Sequence, residues 1–344
     1  MKEFYPWSTT TYEKAIEKYK AGRLSTLDVQ ISAQCNYSCR DCDSPERNIK
    51  SNLDYEHLET LIRQEPGSYD WMFICGVGEP LWGKNQEDSL RMLDLCKRMG
   101  IRCSVFTNGS DMTEQVLSYV RDGVLYPVIK MDTFCPSQAE KIYGTSEAYR
   151  TLEATKVLFE IARSSQEQHY AIAASIVPTV KNIDEIPNIV KSCVENNVFP
   201  LVAQLECAGK AKENFETSML NDEQLLNLKD TINSIIGGEY KIPKCPSVVA
   251  GIHFSINGTV TVDKRSGLSC GWFWLEDPQM IELCQVSQIS SLIEAERKIM
   301  NYRKTVIDDV AVLCNKIKEY PFGGCGGNIK GLLSDYVKIQ NELQ

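Results

Sequence analysis

Between residues 28 and 206 short apolar stretches alternate with longer amphipathic ones, and this alternation narrows the possible folds more than any other feature. The stretches 27–31, 71–75, 101–106, 127–131, 171–177 and 200–205 have the length and apolar content of buried strands. The segments between them have helical spacing. Over 54–64, Leu58, Leu61 and Ile62 share a face, and Asp54 is placed to cap the start. Met92, Leu95, Cys96 and Met99 fall one turn apart, and Gly100 ends that helix. Ser146 is placed to cap a helix over 146–163 with Ala154, Val157, Leu158 and Ile161 inward. Asn182 is placed to cap another, with Ile186, Ile189, Val190 and Cys193 inward. Strands this apolar need helices over their outer face, so six such units predict an α/β chain forming a partial (β/α)6 TIM-type barrel. In such barrels the chemistry gathers at the C-terminal ends of the strands.

The same pattern divides the 344 residues into an N-terminal extension (1–27), a barrel core (28–207), a polar, partly helical connector (208–244) and a small C-terminal α/β hairpin domain (245–344). The last is marked by alternation over 253–262 around Asn257-Gly258, a hairpin turn signal. At 43% apolar residues the chain can bury a core of this size. A net charge of −9, from 46 acidic and 37 basic residues, argues against a broad nucleic-acid surface. No apolar run reaches the roughly 18 residues of a membrane span. Residues 1–7 lack the charged-then-apolar order of a signal peptide, so a soluble cytoplasmic protein without a membrane partner is expected.

Fourteen cysteines are many for such a chain. In a reducing compartment, clustered cysteines ligate metal more often than they form disulfides. Three fall close together after the first strand, in Cys35-Asn36-Tyr37-Ser38-Cys39-Arg40-Asp41-Cys42. Iron–sulfur clusters are held by thiolates, normally four. Three thiolates leave one iron of a cube open to chelation by a small molecule. A zinc site is the competing reading, although structural zinc takes four closed ligands, often as paired Cys-x2-Cys units.

Cys-x3-Cys-x2-Cys after the first strand of a βα array resembles the signature of the radical S-adenosylmethionine (SAM) superfamily. The resemblance implies that Cys35, Cys39 and Cys42 hold a 4Fe-4S cluster whose open iron binds SAM through its amino and carboxylate groups. One electron then cleaves SAM to methionine and a 5′-deoxyadenosyl radical, which removes hydrogen from a substrate. An external electron donor such as flavodoxin or ferredoxin is implied as a partner. Cys75-Gly76-Val77-Gly78-Glu79-Pro80-Leu81 resembles the family's Gly-Gly-Glu-Pro segment in its Gly-x-Gly-Glu-Pro form. Gly76, Gly78, Glu79 and Pro80 are thereby expected at the SAM site, with Glu79 facing the SAM ammonium. Thr107-Asn108-Gly109 resembles another recurrent segment, and an ordinary Asn-Gly turn has the same sequence. Asp132 stands where the family often has Ser-x-Asp, with Lys130 in place of the Ser, and Ser175 is a further expected SAM contact. The residue before the third cysteine is usually aromatic in this family. Here it is Asp41, so adenine is expected to be held through Tyr37 or by a hydrogen bond from Asp41.

Cys245, Cys270, Cys284, Cys314 and Cys325 occupy the final hundred residues. Cys245 followed by the Gly258 hairpin, a helix near 283–296 and Phe322-Gly323-Gly324-Cys325 together resemble a SPASM/twitch auxiliary-cluster domain. Asp263 stands where the fuller SPASM pattern has a Cys, so one auxiliary 4Fe-4S cluster is implied rather than two. Cys245, Cys270, Cys314 and Cys325 are its expected ligands and Cys284 the spare. A zinc site or buried thiols is the alternative. Trp272, Phe273 and Trp274 are expected to pack near that cluster.

Cys135 and Cys207 fall just past the fourth and sixth strands, where either could give a hydrogen atom to a substrate radical or simply pack as a small hydrophobe. Cys75, Cys96, Cys103 and Cys193 read as core, and His57, His169 and His253 share no triad or zinc spacing. Relatives implied by the auxiliary domain act on peptides or on aminoglycoside precursors. The short segment before the first strand leaves little room for a leader-binding domain, which favours oxidation or rearrangement of a small biosynthetic intermediate. Maturation of a ribosomally made peptide is the alternative, and a zinc-stabilised binding module the non-enzymatic one.

Overall fold

The computed structural model describes residues 1–344 except 45–48, 76, 270–278, 315–320, 323–328 and 344. Helix α1 (Thr9–Lys20) precedes strand β1 (Thr26–Val29). Strands β2 (Trp71–Ile74), β3 (Arg102–Thr107), β4 (Leu125–Lys130), β5 (Ala173–Ile176) and β6 (Phe199–Val202) follow. Between them run α2 (Tyr55–Arg63), α3 (Asn85–Met99), α4 (Glu114–Arg121), α5 (Pro136–Tyr143), α6 (Tyr149–Ser164) and α7 (Ile186–Glu195). The short α8 (Phe215–Ser218), α9 (Asp222–Ile236) and α10 (Pro246–Ala250) lead to β7 (Gly251–Phe254), β8 (Thr259–Asp263) and β9 (Met280–Gln285). Helices α11 (Leu292–Cys314) and α12 (Ile329–Leu343) end the chain.

The strands make one sheet in the order β6-β5-β4-β3-β2-β1-β7-β8-β9. The first six are parallel, as the alternation predicts, and form the partial barrel. Strand β7 joins β1 on its other side, also parallel, with Asp28 opposite His253. The β7–β8 hairpin turns at Gly258, whose φ of +76° suits glycine, and β9 completes the antiparallel end. Tyr240 ties the opposite edge. Its hydroxyl accepts from Val202 N at 2.7 Å and donates to the Pro200 carbonyl at 2.8 Å.

Aromatic residues of the N-terminal segment close the amino end of the barrel. Phe4 stacks on Phe199 with centroids 6.1 Å apart, and Trp7 lies 5.8 Å from Phe4 and 6.0 Å from Phe106. Tyr5 packs 5.6 Å from both Trp71 and Tyr126, with the Arg102 guanidinium 4.6 Å from its ring. Trp71, Arg102 and Tyr126 sit at or next to strand starts, so these rings cover the amino end of the barrel, and Trp7 reaches from there to Phe106 near the carboxyl end of β3. In the C-terminal half the fully buried Arg303 of α11 donates to the carbonyls of Gly267 (2.8 Å) and Val249 (2.6 Å) and lies over the rings of Tyr19 and Tyr336. Two carbonyls and two rings offset part of a charge that would otherwise be costly to bury, with Nη2 left unbonded among the described residues.

Asp54 caps α2 through His57 N, and α3 stops at Gly100 with φ +69°, both as expected. Other expectations need correction. Thr145, not Ser146, supplies the cap, to a 3-10 turn over Ser146–Ala148, and α6 starts only at Tyr149. Val157 points outward and is exposed. Asn182 does not cap α7. Its carbonyl accepts from Thr179 N and its amide donates to the Asp132 and Val177 carbonyls, so it braces a loop. The helix expected over 283–296 starts at Leu292, because Leu283 and Cys284 belong to β9. Helices α1, α4 and α5 carry no strong sequence signal: α1 mixes charge through its apolar positions, and the other two have only eight residues each. Cys96, Cys103 and Cys193 are fully buried in the core, and Cys75 is half-buried.

Candidate active site

Strand β1 delivers the cysteine run to the carboxyl end of the sheet, where neighbouring segments clamp it at three points. Gly78 (φ +73°) follows β2, and a Cβ there would overlap the Ser32 carbonyl. Next to it Glu79 N donates to the Gln34 carbonyl at 2.9 Å. Gly144 (φ +65°) follows α5, and a Cβ there would overlap the Ser38 carbonyl. Ser38 N and Arg40 N donate to the Tyr143 and Ile142 carbonyls, each at 3.1 Å. After β6, Ala211 N donates to the Cys42 carbonyl at 2.9 Å.

Side chains complete the clamp. Asn36 donates to Ser110 Oγ and accepts from Asn108 Nδ2, both at 2.9 Å. Tyr37 stacks on Tyr143 with an interplanar angle of 16°, and its hydroxyl lies 3.0 Å from Thr151 Oγ1. Asp41 accepts from Ser218 Oγ at 2.9 Å. Tyr37 is thus packed against protein on one ring face, and Asp41 is oriented by the segment after β6.

Glu79 is the hub between β2 and β3. Its carboxylate accepts from Thr107 Oγ1 at 2.6 Å, Asn108 N at 2.6 Å and Leu81 N at 3.1 Å. Burial pushes its pKa up to about 7, despite these three donors. On the β4 side, Asp132 accepts from Lys130 Nζ at 2.8 Å and from Val177 N at 2.9 Å. Its own N–H donates to the Tyr143 hydroxyl at 3.0 Å. Lys130 is 28% exposed and Asp132 3%. Burial alone would depress the Lys130 amine, but Asp132, Cys39 and Tyr143 outweigh it and hold its pKa well above the ordinary value. Ser175 is the register neighbour of Lys130 and is half-buried.

Burial pushes the Cys39 thiol up to about 12, against the Lys130 ammonium and with Cys42, Cys35 and Asp132 adding to it. The three sulfurs are therefore near enough to feel one another. Among the described residues, no three His, Cys, Asp or Glu side chains converge on a point where a single metal ion would sit. A polynuclear cluster spreads its thiolates over several irons and needs no such convergence. Three clamped thiolates beside a fixed ammonium suit an anionic cluster.

Of the two cysteines expected past the strands, Cys135 is exposed at the start of α5, where Ser137 Oγ at 3.3 Å and the Gln138 N–H lower its pKa. Cys207 is half-buried beyond β6. In the C-terminal half, Cys245 precedes α10, and its neighbour Lys244 pairs with Asp335 on α12. Cys314 Sγ lies 3.9 Å from Ser334 Oγ and from the Lys330 carbonyl, also on α12. Cys314 thus faces the first turns of α12, and Lys244 ties the segment before α10 to the same helix. Cys284 instead sits on β9 near Lys298 and Glu294, at the other end of α11. Sixteen residues of helix at about 1.5 Å each put that end about 24 Å from Cys314. Cys270, Cys325, Gly76 and the Trp272-Phe273-Trp274 run lie outside the described residues. His57 contacts the Ile289 carbonyl, His169 packs on Tyr5, and His253 is buried in the sheet.

Sequence reasoning missed Asn36, Tyr143, Gly144 and Ser218. Only Gly144 carried a usable signal, as a helix-ending glycine; the others become legible once distant segments meet.

No family model matches the chain. Among solved structures, anSMEcpe with bound AdoMet superposes with a TM-score of 0.58 at 15% identity, over 92% of this chain and 95% of its own. Streptococcus suis SuiB bound to S-adenosylmethionine gives 0.55 at 17% identity, over 74% of this chain. The chain shares the fold of these two S-adenosylmethionine-bound proteins. It spans 66% of the SuiB chain. A Methanocaldococcus jannaschii relative, the uncharacterized protein MJ0804, is 23% identical over 225 residues, which is 65% of this chain and 72% of its own. Within this shared fold, Cys35–Cys42 follows the first strand, and Glu79, Asn108, Asp132 and Ser175 lie at or just past successive strand ends. Among the described residues no helix is long and apolar enough to cross a membrane.

Proposed function

We propose that this chain is a radical SAM enzyme that abstracts hydrogen from an unreactive C–H bond. The observation that carries the reading is the three-point clamp on the Cys35–Cys42 loop at the carboxyl end of the parallel strands. Cys35, Cys39 and Cys42 would hold a 4Fe-4S cluster, which supplies the electron that cleaves SAM. Lys130 places a positive charge beside Cys39 and so favours its thiolate, the form that ligates iron. Asp132 holds that ammonium in place. Glu79 fixes the Leu81 and Asn108 backbone, and with it the approach of the glycine segment to SAM. Cys135 and Cys207 remain the proposed hydrogen-atom donors, and an external flavodoxin or ferredoxin the electron source.

An auxiliary 4Fe-4S cluster on Cys245, Cys270, Cys314 and Cys325 fits the approach of Cys314, and of Lys244 beside Cys245, to α12, with Cys284 left over. It would take the electron left after hydrogen abstraction or shape the pocket. Two substrate classes suit this chemistry. A peptide is favoured by anSMEcpe with bound AdoMet and Cp18Cys peptide, which aligns over 92% of this chain and 99% of its own at a TM-score of 0.58 and 14% identity. A small biosynthetic intermediate is the other.

Metal analysis of anaerobically purified protein tests the proposal. Iron and sulfide at about eight each per chain are expected for two clusters, and zinc alone overturns it. Cys39→Ala should abolish 5′-deoxyadenosine formation under a strong reductant; undiminished formation refutes the ligand assignment.

A further inference from the structure

We infer that Gln204 and Glu206 form the docking point for a protonated amine of the substrate, an inference that rests on the active site proposed above. Past Val202 the chain folds back over the cysteine loop, so that a Cβ on Gly209 would overlap the Ser44 carbonyl and Ala211 N donates to the Cys42 carbonyl. Glu206 is near enough to Asp43, the residue after Cys42, for the two carboxyls to repel, which sets it beside the cysteine loop, and Gln204 lies two residues before it. Gln204 and Glu206 are only 5% and 8% exposed. Yet Gln204 Oε1 and Glu206 Oε2 are buried with no hydrogen-bond partner among the described residues.

Elsewhere this protein satisfies its buried carboxylates. Glu79 has three donors, Asp132 has Lys130 and Val177 N, and Glu296 accepts from Arg23 and Tyr69. Single hydroxyl and nitrogen atoms such as Ser25 Oγ and His253 Nδ1 are also left unpartnered, but among the described residues Glu206 is the buried carboxyl with an orphaned oxygen, and a second orphaned acceptor lies two residues before it. Both orphaned atoms are acceptors, so their complement is a donor. Burial, reinforced by the Asp43 carboxylate, raises the Glu206 pKa well above the usual range, and a cation would relieve that repulsion. A hydroxyl could bond one acceptor but leaves the charge unmatched. An ammonium has three donors and the right charge.

The amine could belong to a small aminosugar-like molecule or to a lysyl side chain. The test uses anaerobically reconstituted holoenzyme with SAM and two matched probe pairs: glucosamine against N-acetylglucosamine, and an N-terminally acetylated Gly-Gly-Lys-Gly-Gly peptide against the same peptide with its lysine also acetylated. At least one free amine should bind about tenfold tighter than its acetylated partner, and the pair that discriminates identifies the source. Glu206→Gln should bring that ratio close to one while iron content and SAM binding stay at wild-type levels. Gln204→Leu should lower the ratio by a smaller factor, and it decides the matter if Glu206→Gln fails to fold. Equal binding within both pairs, or a ratio that survives both substitutions, overturns the inference while SAM cleavage still stands. Holoenzyme that holds no iron or leaves SAM intact counts against the proposed function instead.

Discussion

The Ser38 carbonyl occupies the space that a side chain on Gly144 would need. The helix α5 that Gly144 terminates therefore sets how closely the cysteine loop can approach β4. Gly144→Ala adds strain at φ +65° to this overlap and should cost about 2–3 kcal/mol. The loop, not the barrel, should yield. Far-UV circular dichroism should stay native while iron per chain falls; full iron loading would show that the contact does not position the thiols.

Glu79 should make stability depend on pH. Its carboxyl has a folded-state pKa of about 7, against an ordinary 4.5. The folded protein binds the extra proton in that window, so stability falls as pH rises from about 4.5 through 7. Over the whole window the loss is about 3 kcal/mol. Asp28 shifts upward to about 6 and His253 downward to about 4, both from burial, so the total profile mixes opposed slopes. Comparison with Glu79→Gln isolates one group: denaturant unfolding at several pH values should show the variant's profile flatter by about that amount. Parallel profiles would mean Glu79 titrates normally.

The Lys130–Asp132 pair should be worth more broken than absent. Lys130→Met leaves Asp132 buried and without its cation, costing on the order of 2 kcal/mol, a figure reduced because Lys130 is partly exposed. Lys130→Met with Asp132→Asn should recover part of that loss. Thermal unfolding of both single variants and the double variant measures the coupling, and additive losses would deny it.

Trp7 carries the barrel floor together with Phe4. Trp7→Ala empties a fully buried site between Phe4 and Phe106 and should cost about 3–5 kcal/mol. SAM binding measured well below the lowered Tm should weaken, because Phe106, on which Trp7 packs, precedes Thr107, the donor to Glu79. Unchanged binding in a folded variant would show that the floor and the site are uncoupled.

Among the C-terminal cysteines, Cys284→Ser should leave iron content intact, whereas Cys314→Ser should remove about four irons per chain. The reverse result would move the auxiliary ligand set from α12 to β9.

The parallel barrel was legible because its strands are short apolar runs and its larger helices show one buried stripe, as with Leu58, Leu61 and Ile62. Caps were legible only where side chain and helix are neighbours: Asp54 was found, but Asn182 is drawn away by Asp132 and Val177, residues far off in sequence. The cysteine run and Glu79 announced themselves as motifs. The partnership of Lys130 with Cys39, and the orphaned acceptors on Gln204 and Glu206, arise from the meeting of β4 and the post-β6 segment with the first loop, and no local pattern encodes that meeting.

Strand β1 is hydrogen-bonded along both edges, to β2 in the barrel and to β7 in the C-terminal half. The thiol-bearing loop thus springs from a beam welded on both sides. Any displacement of the terminal hairpin must drag that beam, so the two ends of the polypeptide share one mechanical reference, and a perturbation in the last hundred residues is felt at Cys35 without crossing the mouth.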